Sequence, residues 1–279
     1  MKGKRGFAFN LSLFTFSPFL MVHSKLQRRT LATWAVLMYA FLYLPIVTLM
    51  VFSFNNSRAG VVWKGFTLNW YRKLFQDTSI MLALENSLLI AVMTTVIATV
   101  IGTMAALAMY KYQFRGKLVW NSLIYMPVII PEIVMGVSLL VFFAFLKVTL
   151  GIATITIAHI AFCVSYVIIV VRARLHGFDR SLEEASMDLG ANRFQTFFHV
   201  TLPLIAPGVI SGALLCFTLS LDDFVITFFT QGPSSTTLPV KIYSMVKFGI
   251  TPVINAVSTL LLILTAIAVI LLTKFEQEG

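Results

Sequence analysis

Six stretches of this chain, near 31–54, 85–110, 118–146, 151–171, 207–229 and 253–273, are so apolar that their only charged residues are Glu85, Glu132, Asp222 and Asp223. A helix needs about 20 apolar residues to cross a bilayer core, and each stretch is long enough to do so with some tilt. Composition points the same way. The chain is 58% hydrophobic and 11% charged, with a mean hydropathy of +0.90, whereas soluble domains run at about 45–50% apolar and about 25% charged. Too few charges remain to coat a water-soluble globule, and 279 residues leave no room for a large extramembrane domain. The expected fold is an all-α membrane protein with six transmembrane helices. Cys163 and Cys216 both lie in apolar runs and read as small buried hydrophobes.

Residues 1–30 stand apart from these spans. Lys2, Lys4 and Arg5 precede a short apolar run, as in a signal peptide, but no small-residue cleavage site follows and a second basic cluster sits on the wrong side. The segment is expected to be a cytoplasmic or interfacial extension, unless translation starts further downstream. Residues 274–279 form a short cytoplasmic tail.

Basic residues set the orientation. Lys2, Lys4, Arg5, Lys25, Arg28, Arg29, Lys111, Arg115, Lys117, Arg172, Arg174, Arg180, Arg193 and Lys274 fall on one side of the six spans. Only Arg58, Lys64, Arg72, Lys73, Lys147, Lys241 and Lys247 fall on the other. Both termini are therefore expected in the cytoplasm, and the net charge of +10 is mostly a topology signal. It gives no reason to expect nucleic acid as a partner.

Within the spans, Thr94, Ala98, Gly102 and Ala106 place a small residue at every fourth position. Such a stripe lets a neighbouring backbone approach closely, which suits a packing seam, with a pore lining as the alternative. Gly208 and Gly212, after Pro207, repeat the device. Pro127 and Pro131 loosen the third span, where neighbours or a cavity must satisfy the freed carbonyls. On the outer side, Trp63, Trp70 and Tyr71 read as headgroup-level anchors beside a basic set that could meet a receptor.

No Walker A, HExxH or Cys/His metal spacing occurs, and His23, His159, His176 and His199 are scattered. The informative soluble piece is the loop 172–206. Ser181 through Glu184 has the spacing of a capping box, Leu182, Ala185 and Leu189 make a short apolar stripe, and Gly190 suits a left-handed C-cap. A second helix carries Phe194, Phe197 and Phe198 until Pro203 stops it. The element is too small to bury its own stripe. It either docks into a partner's groove or rests on its own bundle.

Glu184-Ala185-Ser186, Gly190 and Val200-Thr201-Leu202-Pro203 resemble the EAA–glycine–leucine–proline loop of ABC importer permeases, with Ser186 and Val200 departing mildly from the commonest form. The resemblance implies the six-span permease fold, working in pairs, and a coupling role for Glu184, Ala185, Ser186, Gly190, Leu202 and Pro203. The partners it implies are two copies of a cytoplasmic ATPase, a second homologous permease and an external solute-binding protein, in a bacterial inner membrane. No cofactor is then bound by this chain, since ATP and magnesium belong to the ATPase. Tyr43 to Ile46, Ser53 to Ser57, Thr67 to Tyr71, Phe217 to Asp223, Gly232-Pro233 and Leu238 to Lys247 further resemble spermidine/putrescine permeases, the C-type subunit in particular. The similarity runs from about 31 to 273.

The acids give an independent pointer to cargo. No Lys or Arg lies inside a span to neutralise Glu132, Asp222 or Asp223. A charge at mid-bilayer costs at least about 2.5–3.5 kcal/mol and usually faces a cavity or a partner. A polyamine, an apolar chain with ammonium groups at intervals, suits carboxylates beside aromatic faces such as Phe217 and Phe224. Asp222 and Asp223 diverge by about 100° on a helix, so one of them can instead cap a break. The alternatives are another solute for the same machinery (an amino acid, an opine or a metal–anion complex) or a gradient-driven secondary transporter. The latter would carry inverted repeats, and no internal symmetry is visible.

Overall fold

The computed structural model describes residues 25–57, 62–248 and 252–278. The extension at 1–24, Arg58 and the last residue of the tail lie outside the described residues. The chain divides into two units at Thr48 and Leu49, both crossed by helix α1 (Lys25–Phe52), which starts within the segment expected to be an extension. In the first unit the rings of Tyr39 and Tyr43 stack, one helical turn apart.

The second unit is helical among the described residues apart from a bridge between Asn55 and Phe66. Its helices are α2 (Asn69–Gln76), α3 (Thr78–Lys111), α4 (Lys117–Ile129), α5 (Glu132–Phe145), α6 (Ile152–Leu175), α7 (Ser181–Asp188) and α8 (Arg193–Thr196). After a π-helical turn at Phe197–Thr201 come α9 (Leu202–Asp222), α10 (Val225–Thr230), α11 (Leu238–Phe248) and α12 (Pro252–Glu278). Among the described residues, four helical runs are long and apolar enough to cross a membrane: Arg29–Phe52, Thr78–Lys111, Ile152–Leu175 and Arg193–Asp222.

Two expected spans take a different form. The third is two helices, α4 and α5, bent by 107° at Ile130–Pro131. Pro131 has no amide to donate, and the residue before a proline avoids the α region; Ile130 and Pro131 are both extended, with ψ of 133°. The fifth span begins at Arg193, because Pro203 does not stop the helix. Proline is tolerated in a first turn, where its missing amide has no intrahelical partner, and the π turn at Phe197–Thr201 leads into α9 with Pro203 at that position. The same span breaks early, at Asp222, with Asp223 extended before α10 starts.

Helices α3, α6 and α9 pack on one another at the centre, around Ala98, Ala106, Val167, Val171, Ile205 and Cys216. Their closeness depends on missing side chains. A β-carbon at Gly102 of α3 would lie 2.6 Å from Val167 Cγ1, and one at Gly212 of α9 would lie 3.5 Å from the same atom. Val167 of α6 is thus the side chain that both small-residue stripes close upon. Thr94, Ala98, Gly102 and Ala106 are all buried, so the stripe is a packing seam.

A second cluster joins Trp70 and Leu74 of α2, Ile80 of α3, Leu238 of α11 and Ala256 and Val257 of α12. Trp70 is buried here and donates its indole Nε1–H to the Asn55 carbonyl at 2.8 Å, while the Tyr71 hydroxyl lies 2.7 Å from Ser53 Oγ. These two rings are core residues rather than headgroup anchors; only Trp63 of the three is exposed.

Because Val167 is stiff and held from two sides, Gly102→Ala is expected to cost about 1–3 kcal/mol by overpacking. Thermal denaturation of the protein in detergent checks this. Val167→Ala, added to Gly102→Ala, should recover much of the loss, whereas it should destabilise the otherwise unaltered protein.

Candidate translocation path and coupling element

The loop that leaves α6 is fastened to the end of α3 by polar contacts. Tyr110 donates its hydroxyl to the Phe178 carbonyl at 3.0 Å, and Arg180 donates to the Tyr110 carbonyl at 2.8 Å while its guanidinium lies over the Tyr110 ring. Glu183 points inward, pairing with Lys111 Nζ at 2.7 Å and accepting a short hydrogen bond from the Thr201 hydroxyl. Glu184, in contrast, is exposed. The expected capping box at Ser181 and Glu184 is not formed. Asp179 supplies the cap, its carboxylate accepting from the Ser181 amide at 2.9 Å, and the reciprocal box lies one helix later, between Asn192 and Gln195. A carboxylate before the first turn also suits the helix dipole.

Gly190 behaves as the spacing requires. Its φ is +94°, and the Ala191 and Gly190 amides return to the Ser186 and Met187 carbonyls at 3.1 and 2.9 Å, a complete Schellman turn. Ser186 Oγ lies 3.3 Å from Thr196 Oγ1, which ties α7 to α8. Ala185 is exposed and Leu189 is 90% exposed. Leu202 and Pro203 form the first turn of α9. Behind the element, Phe194, Phe197 and Phe198 line an apolar groove of about 600 Å³ with Met104, Leu107 and Ala108 of α3.

Burial raises the pKa of Glu183, but its hydrogen bonds from Lys111 and Thr201 outweigh this and hold it below the ordinary carboxylate value. Asp179 is likewise lowered, by the Ser181 amide.

The second site is where two helix breaks meet. Helix α5 packs on α10 at Gly136, where an added β-carbon would lie 2.8 Å from Phe229 Cδ2 and 3.5 Å from Ile226 Cα. Glu132 is the first residue of α5, one turn before that contact, and is exposed. Asp222 ends α9 and is also exposed. Phe224 adds an aromatic wall, with ring centroids 4.7 Å from Tyr243 of α11 and 5.6 Å from Phe228. The packing of α5 on α10 thus draws Glu132 toward Asp222 and Phe224, from two separated parts of the sequence. Phe217 is half-buried on α9, five residues before Asp222 and so about 140° from it around the axis.

Asp223 lies differently. It was expected to lack a neutralising partner, but its side chain is only 5% exposed and its Oδ2 lies 3.2 Å from His159 Nε2. It also accepts from the Thr227 amide at 2.8 Å and the Thr227 hydroxyl at 2.9 Å, and so caps α10. The sequence assigns no role to His159, one of four scattered histidines, or to Tyr243, because an isolated histidine or tyrosine carries no spacing signal.

Residues 98–277 match the family described as binding-protein-dependent transport system inner membrane component. This chain belongs to that family. As such a permease it is a multi-pass membrane subunit without catalytic activity, the ATPase being a separate subunit. It is 46% identical over 244 residues to the spermidine/putrescine transport system permease protein PotC of Escherichia coli (strain K12), covering 86% of this chain and 92% of that one. It is 42% identical over 251 residues to the putrescine transport system permease protein PotI of the same strain, covering 86% and 89%. The permease fold recurs at low identity in a bacterial ABC transporter involved in the import of the acidic polysaccharide alginate (TM-score 0.72, 18% identity, 91% and 99% coverage). An amino acid ABC transporter shares it at TM-score 0.58, with 16% identity over 77% of this chain and 100% of that one.

In this permease Glu183→Ala should loosen the coupling loop by about 1–3 kcal/mol, the worth of hydrogen bonds to a charged group. Limited proteolysis of the 176–192 segment in detergent is expected to quicken several-fold, whereas Glu184→Ala should leave it nearly unchanged. Since the folded pKa of Glu183 is depressed, its stabilisation is complete above the ordinary carboxylate value and is lost as pH falls toward the lowered one. Cleavage of the unaltered protein by an acid-active protease should rise over that window, and in Glu183→Gln it should not.

Proposed function

We propose that this chain forms half of the translocation path of an importer for polyamines, working beside a second homologous permease, two copies of a cytoplasmic ATPase and an external solute-binding protein. The observation that carries the cargo is 46% identity, across most of both chains, to a relative named for spermidine and putrescine transport. The chemistry of the facing helix breaks supports it. Glu132 and Asp222 are exposed carboxylates in apolar stretches that hold no Lys or Arg, and the ring of Phe224 follows Asp222. Carboxylates offset the desolvation of ammonium groups, and aromatic faces add cation–π attraction. Two such acids suffice to admit a polycation without trapping it, and a carrier must also release.

The chain sits in a bacterial cytoplasmic membrane with both termini inside, in six spans if α4 with α5, and α12, each count as one. The 172–206 loop then faces the cytoplasm. Leu182 and Ala185 of α7, with Leu189 just after it, present an apolar stripe outward, and Gly190 turns the chain so that Phe194 and Phe198 follow it. This surface docks into the ATPase, and the continuous helical run from Arg193 to Asp222 links it to the path.

Asp222→Asn and Glu132→Gln keep size and hydrogen bonding but remove charge. An interaction of about 1–2 kcal/mol, between the values for bulk water and for a protein surface, corresponds to a roughly 5- to 30-fold slower spermidine uptake. Uptake into vesicles holding the complete complex measures this, with receptor affinity measured separately and expected to stay unchanged. Wild-type rates in both variants would remove these acids from the path.

Gly190→Asp strains a left-handed turn and Glu184→Lys reverses charge on the docking face. Both should lower the amount of ATPase that co-purifies while leaving membrane insertion intact. Full ATPase retention with normal uptake in both variants would refute the docking assignment.

A further inference from the structure

His159 of α6 is fully buried, yet both of its ring nitrogens have partners. Nδ1 lies 2.7 Å from Ser220 Oγ, on the last turn of α9. Nε2 lies 2.9 Å from Thr227 Oγ1 and 3.2 Å from Asp223 Oδ2, on the far side of the break. A carboxylate only accepts, so the proton belongs on Nε2, and in the neutral ring Nδ1 accepts from the Ser220 hydroxyl. The ring is held edge-on by Phe162, with centroids 5.6 Å apart.

An apolar side chain would fill this place at less cost than a desolvated imidazole. Forming α10 does not require the histidine either, because Asp223 already accepts from the Ile226 and Thr227 amides. What the ring adds is a tether from that cap to α6. The other end of α10 is tethered as well: the Thr154 hydroxyl, at the start of α6, is 2.8 Å from the Thr230 carbonyl. The short helix is therefore held to α6 at both ends, and the residues flanking the tethered Asp223 are Asp222 and Phe224.

We infer that His159 is a positioning residue for transport: by anchoring Asp223 to α6 it sets the angle of the α9–α10 break and so the placement of Asp222 and Phe224. Its consequence for uptake rests on the polyamine-permease reading above. His159 touches no cargo. It acts at the end of the helical run that begins at Arg193, where movement of the coupling element reaches the path.

Two amides separate the two ring contacts. Glutamine reaches about as far as Nε2 and can still donate to Asp223, whereas asparagine reaches only about as far as Nδ1, toward Ser220. In vesicles with the complete complex, His159→Gln should keep spermidine uptake within about threefold of wild type. His159→Asn should lose at least tenfold in uptake per ATP hydrolysed, with receptor-stimulated ATPase activity nearly unchanged. Hydrogen exchange of the 223–230 amides should quicken in the asparagine variant alone. Equal behaviour of the two variants, or an uptake loss matched by an equal ATPase loss, would overturn the positioning role. Should neither assemble, Thr227→Val and Ser220→Ala repeat the comparison on an intact ring. The first should impair uptake more and raise exchange, and equal effects would overturn the inference. Exchange does not depend on cargo, so wild-type vesicles that take up no spermidine would sink the polyamine reading while the exchange contrast still decides the anchor.

Discussion

A chain in lipid can leave the α-helix only where something else takes up its backbone hydrogen bonds. This permease does so at Ile130–Pro131 and at Asp222–Phe224, and it sets these two breaks against each other through the contact of Gly136 with Phe229. Each break is followed by a short helix and leaves a carboxylate at its corner. The buried polar set of Asp223, Thr227, His159 and Ser220 makes the second break tolerable. The path chemistry proposed for Glu132 and Asp222 depends on it, since an unbroken α9 would carry both aspartates along one rod.

The breaks need a firm frame, and close helix contact supplies it. Gly102 and Gly212 let α3 and α9 close on Val167 of α6, and Gly208 brings α9 against the stem of Arg174. Packing of this kind has discrete arrangements rather than a continuous range. The run from Arg193 to Asp222 emerges from this frame with the coupling element at one end and the second break at the other. Lys111, Glu183 and Arg180 fix the loop between α6 and α8 against α3, the rigidity that the proposed coupling role requires.

Two adjacent aspartates have been given different work by their surroundings. Asp223 accepts from two amides and a hydroxyl and faces an imidazole. Asp222 is left exposed beside an aromatic wall. The buried one spends its charge on structure, whereas the charge of the exposed one is left for the path role proposed above.

Much was legible without coordinates. Long apolar runs dictate spanning helices, since nothing else satisfies a backbone in lipid. The small-residue stripe announced a seam, Gly190 a left-handed turn, and the loop motif a family, because each is a local pattern whose physics is complete within a few residues. What failed was pairwise and distant. Ser181 and Glu184 have the spacing of a capping box, yet Asp179 took the amide first, and Glu183 rather than Glu184 found Lys111. Pro203 looked like a stop but sits where a helix needs no amide donor, and Trp70 looked like an anchor but found Asn55 and a core. The partnership of His159 with Asp223, across 64 positions of sequence, could come only from the packing of α6 on the broken helix. Sequence determines which segments must be helical and which turns they can make; tertiary structure decides which of two neighbouring carboxylates is buried, because burial is a property of what packs alongside.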